Sequence, residues 1–214
     1  MGVAQEEVNK PGEAKAKSTL REYAEAIILA VVLALFIRTF VVQAFKIPSG
    51  SMKPTLLEGD HILVNKFIYG VKLPFVGKTL IPVSEPKRGD VIVFIYPEDP
   101  SKDFIKRVVA VGGETISISN RQLLINGRAV PDPYGHFTYA KSMPSEVYPR
   151  DNLKPRQVPE GHVFVMGDNR DQSYDSRYWG FVPLQDVRGK AFLIYWSWDQ
   201  NWRVRWDRLG DVVR

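Results

Sequence analysis

The amino-acid sequence predicts a mainly β protein with one membrane-spanning helix near its N-terminus. Short runs of β-branched and aromatic residues recur beyond residue 45, a pattern typical of strands. Asn126-Gly127 lies between two apolar runs, and this dipeptide favours the tight turn of a β-hairpin. Many short strands between Gly and Pro turns indicate an all-β sandwich or barrel. The uninterrupted apolar run Ala26–Ile37 is the exception and predicts the helix.

The apolar run is predicted to be an anchor. A helix needs ~20 residues to span a bilayer, and residues 23–42 reach that length if Glu25 and Arg38 extend to the two interfaces. A buried amphipathic helix is a weaker alternative, because the run is apolar on all sides. A cleaved signal peptide ending near 42–44 also stays open. We expect residues 1–22 to form a cytoplasmic tail, although the charge bias across the run is slight.

The remaining chain, residues 43–214, is predicted to form one extracytoplasmic domain. Its expected strands are His61–Ile68, Val91–Tyr96, Lys106–Val111, Glu114–Ser119, Val163–Met166 and Ala191–Trp196. Residues 131–160 hold six of the fifteen prolines, so we expect an irregular, exposed insertion there.

Composition narrows the functional classes. The net charge is +5, and all of the excess falls in residues 46–214, where 24 basic residues face 19 acidic ones. A basic domain beside an anchor suggests contact with anionic lipid headgroups. No helix-turn-helix, zinc-finger or RNA-binding signature is present, so we predict no nucleic-acid partner. The chain has no cysteine and three scattered histidines, so we predict no metal and no cofactor. A Ser-His-Asp arrangement stays open at this point.

Three segments could carry chemistry. The first, residues 47–56, places Ser51 in a Gly- and Pro-rich turn, where composition alone favours an ordinary turn serine over an exposed nucleophile. It lacks the Gly-x-Ser-x-Gly pattern of a nucleophile elbow, and Lys53 is too close for a Ser-x-x-Lys motif. The second places Lys106 among apolar residues on a strand, where desolvation lowers a lysine pKa; an exposed lysine is the alternative. The third, residues 166–183, is dense in polar groups and predicts a structured network.

Together and in this order, the three segments resemble those of bacterial type I signal peptidases. Gly59–Lys66, Arg88–Phe94 and Arg205–Gly210 resemble further segments of that family, and the similarity covers about residues 20–212. The resemblance implies an antiparallel β-sheet catalytic domain of the signal-peptidase and LexA type. It also implies a serine endopeptidase that removes signal peptides from secreted preproteins after Ala-x-Ala.

The resemblance further assigns roles to individual residues. Ser51 is the nucleophile and Lys106 the general base, while the Ser49 hydroxyl and the Ser51 N–H stabilise the oxyanion. Ser173 orients the lysine amine, and Asp175 with Arg177 forms a supporting ion pair. Lys53 receives no role. The implied lining of two shallow substrate pockets is Phe45, Ile47, Met52, Leu56, Ile62, Val93 and Ile105.

These roles imply an enzyme in the bacterial cytoplasmic membrane, with one span, a cytoplasmic N-terminus and the catalytic domain on the outer face. Its partners are preproteins and membrane lipids. Two alternatives differ in kind. A LexA-type self-cleaving protease shares the dyad but needs a DNA-binding N-terminus, and a catalytically inactive, membrane-anchored assembly protein needs no intact dyad.

Overall fold

The computed structural model describes residues 19–72, 79–81, 83–140 and 149–214. The chain divides after Phe36 into two units, and the second unit comprises Ile37–Arg214. Most of the predicted N-terminal tail and residues 141–148 of the predicted insertion lie outside the described residues.

The first unit contributes one helix, α1, Thr19–Phe36. Its apolar side chains are exposed around the helix, from Ile27 at 63% to Leu35 at 57%. In the described part of the chain, no helix combines the length and apolar character needed to cross a membrane. The span predicted over residues 23–42 therefore stays a prediction.

The second unit opens with a π-helical turn, Ile37–Val41, and its regular structure beyond that turn is mainly β. The strands are β1 Val42–Lys46, β2 Asp60–Asn65, β3 Val71–Lys72, β4 Thr79–Ile81, β5 Val91–Ile95, β6 Asp103–Val111, β7 Thr115–Ser119, β8 Gln122–Ile125, β9 Arg128–Ala129, β10 Leu153–Gln157, β11 His162–Met166, β12 Val182–Pro183 and β13 Val187–Ser197. The helical turns among them are a 3₁₀ turn at Gly50–Met52, α2 at Ser176–Trp179, and 3₁₀ turns at Leu184–Asp186 and Trp206–Arg208.

The strands of the described residues form antiparallel sheets, as the sequence predicts. The largest has seven strands in the order β1-β2-β13-β5-β6-β11-β12. Its last strand in sequence, β13, lies in the interior of the sheet and pairs with both β2 and β5. Register shifts interrupt both of these pairings, and such irregularities bend a strand and increase its twist.

A four-stranded sheet, β10-β7-β8-β9, is formed by residues from the second half of the chain. β3 and β4 form a separate two-stranded sheet. The predicted hairpin joins β8 to β9, with Asn126 at φ 51° and Gly127 at φ 75°. These positive angles are the reason why Asn-Gly suits such a turn.

All six predicted strands are present, with ends shifted by a few residues. The expectation for residues 131–160 is wrong in part. Residues 153–157 form β10, which pairs with β7. Pro155 is tolerated because β10 lies at the edge of its sheet, where an N–H can be missing without breaking a second ladder.

Three clusters of buried apolar residues form the core. One lies beneath β1 and β2 and includes Met52 and Leu56 from the loop between them. A second cluster packs against the four-stranded sheet, and a third packs under β5, β6 and β11. The first cluster is the one that positions the functional segments, because it holds the chain on both sides of Ser51.

Gly59 marks a close approach of two backbones at this point. It has φ 90°, and a Cβ added to it would lie 2.1 Å from the Trp198 carbonyl oxygen. Gly127 also has a positive φ, 75°, but a Cβ there meets nothing within 4 Å. Alanine substitutions at Gly127 and Gly59 therefore separate the destabilisation caused by backbone strain from the destabilisation caused by a steric clash.

We predict that Gly127→Ala lowers the free energy of unfolding by ~1 kcal/mol, from backbone strain alone. Gly59→Ala should lower it by ~3 kcal/mol or more, because overpacking adds to the same strain. Denaturant unfolding of the full chain measures both. Equal losses in the two variants would show that the Gly59–Trp198 approach is looser than described.

Candidate active site

The turn that carries Ser51 is held by backbone hydrogen bonds between the chain segments that precede and follow it. Beyond β1, the Ile47 N–H donates to the Asp60 carbonyl at 2.8 Å, and the Gly59 N–H donates back to the Ile47 carbonyl at 3.0 Å. Ser49 is extended, with φ −136°, and the chain then tightens into the 3₁₀ turn Gly50–Met52. Met52 is fully buried and pins the turn to the core.

The side chains of Ser51 and Lys106 meet above this turn. The Lys106 Nζ donates to the Ser51 Oγ at 2.8 Å, although the two residues are 55 positions apart. Lys106 projects from β6 and is 4% exposed, and Ser51 is 9% exposed. This burial rules out the exposed lysine that the sequence left open.

Burial also changes the acid–base character of the amine. The pKa of Lys106 is lowered to about 8, mainly by desolvation; Arg177 contributes to the lowering, while Asp175 and Asp168 oppose it. An amine with that pKa is neutral in a substantial fraction of molecules near neutral pH and can accept a proton.

Ser49 lies on the open side of the pair. Its Oγ is 3.4 Å from the Ser51 Oγ. The hydroxyl predicted to stabilise an oxyanion is therefore next to the hydroxyl predicted to attack.

The segment Gly167–Asn169 supports the turn from behind. The Asn169 N–H donates to the Ser51 carbonyl at 3.1 Å, and its Nδ2 donates to the Gly50 carbonyl at 3.2 Å. A Cβ on Gly167 would lie 2.3 Å from the Ser173 Oγ and 2.4 Å from the Ser51 carbonyl oxygen. Only glycine leaves room for the turn to pack this closely.

Ser173 is buried at 6% exposure, beside Gly167. Within the described residues no hydrogen bond of ordinary geometry reaches its Oγ, although the hydroxyl is close enough to Asp175 to help lower the pKa of that carboxyl. The structure therefore brings Ser173 into the site but gives no hydrogen bond between its hydroxyl and the Lys106 amine, so its orienting role stays a prediction.

Asp175 and Arg177 form a buried, bidentate ion pair. The Arg177 Nε and Nη2 each donate to an Asp175 carboxylate oxygen at 2.8 Å. The Gly167 N–H donates to the same carboxylate at 3.0 Å. Burial by itself raises the pKa of Asp175, but Arg177 and the Gly167 N–H outweigh it and hold that pKa below its ordinary value. The carboxylate therefore stays charged next to Gly167.

A second buried ion pair was not anticipated from the sequence. The Arg107 Nε and Nη2 donate to the two Asp168 carboxylate oxygens at 2.8 and 2.6 Å. Thr55 donates to Asp168 at 2.5 Å, which links the loop after Ser51 to the same carboxylate. The sequence offered one indication of this ion pair, which is the position of its two members. Arg107 directly follows Lys106, and Asp168 lies inside the polar segment 166–183.

All the predicted pocket residues belong to one cluster. Five of them are buried: Ile47, Met52, Leu56, Ile62 and Val93. Phe45 and Ile105 are only partly buried against this cluster. A substrate would therefore contact Phe45 and Ile105 first, and the buried five form the floor beneath them.

The histidines take no part in this site. His61 contacts the Gly59 carbonyl, His162 contacts the Glu160 carbonyl, and His136 bridges to Asn169 through its backbone. In the described segments no histidine is hydrogen-bonded to Ser51, so the structure does not form a Ser-His-Asp arrangement. The same segments contain no group of three or more His, Cys, Asp or Glu residues that could hold a metal.

Known proteins are similar to this chain over most of its length. A family model described as "Signal peptidase, peptidase S26" matches residues 20–196. A signal peptidase I from Pseudomonas aeruginosa is 40% identical, with coverage of 90% of this chain and 80% of that protein. One from Aquifex aeolicus is 38% identical, with coverage of 83% and 85%. A solved signal peptidase I from Enterococcus faecalis is 33% identical, with TM-score 0.40, and covers 50% of this chain and 97% of its own.

The lowered pKa of Lys106 predicts a pH-dependent stability. Between about pH 8 and 10.5 the unfolded chain binds more protons at this lysine than the folded chain does, so stability rises with pH in that window. Lys106→Met removes this contribution. We predict that wild type gains ~3 kcal/mol relative to Lys106→Met between pH 7 and 10.5. Denaturant unfolding of both chains at several pH values measures the difference, and a pH-independent difference would contradict the desolvated lysine.

Proposed function

Because the chain belongs to the signal peptidase family, peptidase S26, we propose that it removes N-terminal signal peptides from secreted preproteins through a Ser51–Lys106 dyad. The family makes the protein a peptidase. The observation that carries the dyad is the 2.8 Å hydrogen bond from the buried Lys106 amine to the Ser51 hydroxyl.

In the proposed mechanism, the neutral Lys106 amine removes the Ser51 proton as the Ser51 Oγ attacks the scissile carbonyl. The Ser49 hydroxyl and the Ser51 N–H donate to the oxyanion that forms. The Lys106 ammonium then protonates the departing amine, and the C–N bond breaks. Lys106 next removes a proton from water, which attacks the acyl ester. As the ester C–O bond breaks, the Lys106 ammonium returns this proton to the Ser51 Oγ and the signal peptide leaves with a free carboxylate.

The supporting residues keep the amine ready for this cycle. Asp175 alone would favour the ammonium form, but its pairing with Arg177 offsets this pull. The Ser173 hydroxyl is buried beside Gly167, and its oxygen can accept a hydrogen bond from the amine as the proton moves. We assign Ser173 this orienting role, and Arg107 with Asp168 the role of holding the strand and loop on either side.

The substrate side of the proposal concerns small residues at the cleavage site. β1 is an edge strand of the seven-stranded sheet, so an extended peptide can add beside it. Phe45 and Ile105 face the peptide over a floor that is already packed. Such shallow surfaces fit alanine side chains and exclude larger ones by overlap, which accounts for Ala-x-Ala specificity.

We place the protein in the bacterial cytoplasmic membrane, with a single span that begins near residue 23 and ends before β1, and with the catalytic domain on the outer face. The support is the apolar surface of α1, whose exposed side chains have no reason to face water. The tail before it is then cytoplasmic.

We predict that Ser51→Ala and Lys106→Met abolish cleavage of an Ala-x-Ala preprotein, since each removes one half of the dyad. Lys154→Met, an exposed lysine on β10, is the matched control and should cleave normally. Wild-type activity should rise through about pH 8 as Lys106 loses its proton. Gel analysis of the full chain with preprotein measures all four. Cleavage by Lys106→Met would remove that residue from the mechanism.

We also propose that the C-terminal aromatic segment lies against the membrane surface. Trp202 and Trp206 are 73% and 72% exposed, and Trp202 has a positive φ of 61°. A tryptophan at such an angle is strained by ~1–2 kcal/mol. The Asp199 carboxylate holds the turn by accepting the N–H groups of Asn201 and Arg203 at 2.8 and 2.9 Å. An exposed, strained aromatic residue that is followed by Arg203 and Arg205 suits a lipid headgroup region.

The five tryptophans of the chain all lie in residues 179–206, so the apolar anchor contributes no tryptophan fluorescence. We predict that brominated lipids quench the fluorescence of the full chain in vesicles, and that Trp202→Phe/Trp206→Phe loses most of the quenching. Trp179→Phe is the control, because Trp179 packs against the core. Unquenched wild-type fluorescence would show that these rings stay in water.

A further inference from the structure

A polar cleft of about 360 Å³ adjoins the loop that follows Ser51. Lys53 and Glu58 line one wall of the cleft, and the turn at 199–201 with Arg205 lines the other. Both signs of charge and two side-chain amides are present, and Leu57 adds an apolar contact. The cleft is therefore different in character from the apolar surface of Phe45 and Ile105.

The cleft is next to the nucleophile turn. A Cβ built on Gly50 would lie 2.9 Å from the Glu58 Oε1 and 3.1 Å from the Lys53 Nζ. Gly50 precedes Ser51 directly, so a substrate whose scissile carbonyl lies at the Ser51 Oγ can reach this pair within a residue or two of the scissile bond. The cleft is therefore close enough to Ser51 for another segment of the same substrate to bind there.

The direction of the substrate limits which segment it is. Under the proposed function, the residues before the scissile bond lie on the apolar surface around Phe45 and Ile105. The chain passes Ser51 and leaves by a different surface, because an extended peptide does not fold back on itself across one bond. We propose that the cleft binds the first residues of the mature chain, a polar or charged peptide segment. This subsite rests on the proposed function.

Two of the charged residues of the cleft, Lys53 and Glu58, form a partly exposed ion pair. The other two, Arg205 and Asp199, are held in place by hydrogen bonds. Lys53 and Glu58 are 3.2 Å apart, with side chains 44% and 35% exposed. Such a pair contributes ~0–1 kcal/mol and can separate at little cost to meet a charge on the peptide. Arg205, in contrast, donates to the Glu58 carbonyl at 3.1 Å and to the Ser197 Oγ at 3.2 Å. The carboxylate of Asp199 is held by its own turn.

The test uses peptides that share one Ala-x-Ala segment and differ after the scissile bond. One series carries lysines at the second to fourth positions, one carries aspartates, one is neutral, and one ends as an amide after the first position. The enzymes are the full-length wild type, Lys53→Glu and Glu58→Lys. Lys154→Glu makes the same charge change on β10, in the smaller sheet, and serves as the matched control.

We expect Lys53→Glu to raise kcat/KM for the lysine peptides and lower it for the aspartate peptides, by about two- to fivefold and mainly through KM. Glu58→Lys should do the reverse. Both variants should match wild type on the truncated peptides, and Lys154→Glu should match wild type on all of them.

The outcomes separate the two proposals. Cleavage with an unchanged preference between lysine and aspartate peptides in both variants would overturn the subsite alone. So would equal losses on the full and truncated peptides, because the pair would then act on the nucleophile turn. Failure of the wild type to cleave any peptide after its small residue would overturn the proposed function and the subsite with it.

Discussion

The buried amine of Lys106 is the constraint on which the rest of the site depends. A lysine at 4% exposure avoids the cost of a buried charge by lowering its pKa, and that state survives only if neighbouring charges balance. The two carboxylates near it, Asp175 and Asp168, are each paired with an arginine. A lone carboxylate would draw the proton back onto the lysine. The arginines therefore protect the neutral amine as well as the fold.

A third carboxylate organises the loop on the other side of Ser51. Asp60 is fully buried and accepts the Arg208 Nη2 at 2.6 Å, the Ser197 hydroxyl at 2.6 Å and the Leu57 N–H at 2.8 Å. Arg208 also donates to the Thr55 carbonyl at 3.0 Å. One residue thus ties the C-terminal aromatic segment to the loop after Ser51. The mobile Lys53–Glu58 pair is carried on a loop whose backbone is held in place, so its side chains can move while the nucleophile turn does not.

The parts of the structure that the sequence predicted are those set by local pattern. Alternation and β-branching located the strands, and Asn126-Gly127 located the hairpin. β1 was not predicted, because Val42–Lys46 directly follows the apolar run and mixes apolar with polar residues over only five positions. β10 was not predicted because its segment is rich in proline, which an edge strand tolerates. Ser51 and Lys106 were identified through motif order, since nothing in a separation of 55 residues gives a distance. The Arg107–Asp168 pair spans 61 residues and depends on the pairing of β6 with β11, which the sequence alone leaves open.

The interior position of β13 has a consequence for biogenesis. The strand completes the sheet between β2 and β5, so the floor under Ser51 lacks its Ala191 and Ile194 contribution until nearly the whole chain has been made. Contacts between residues this far apart form late and slowly. The dyad residues are synthesised early but are assembled only when the C-terminal strand inserts between its neighbours. We therefore expect a ribosome-bound or C-terminally degraded chain that lacks β13 to leave Ser51 and Lys106 unassembled.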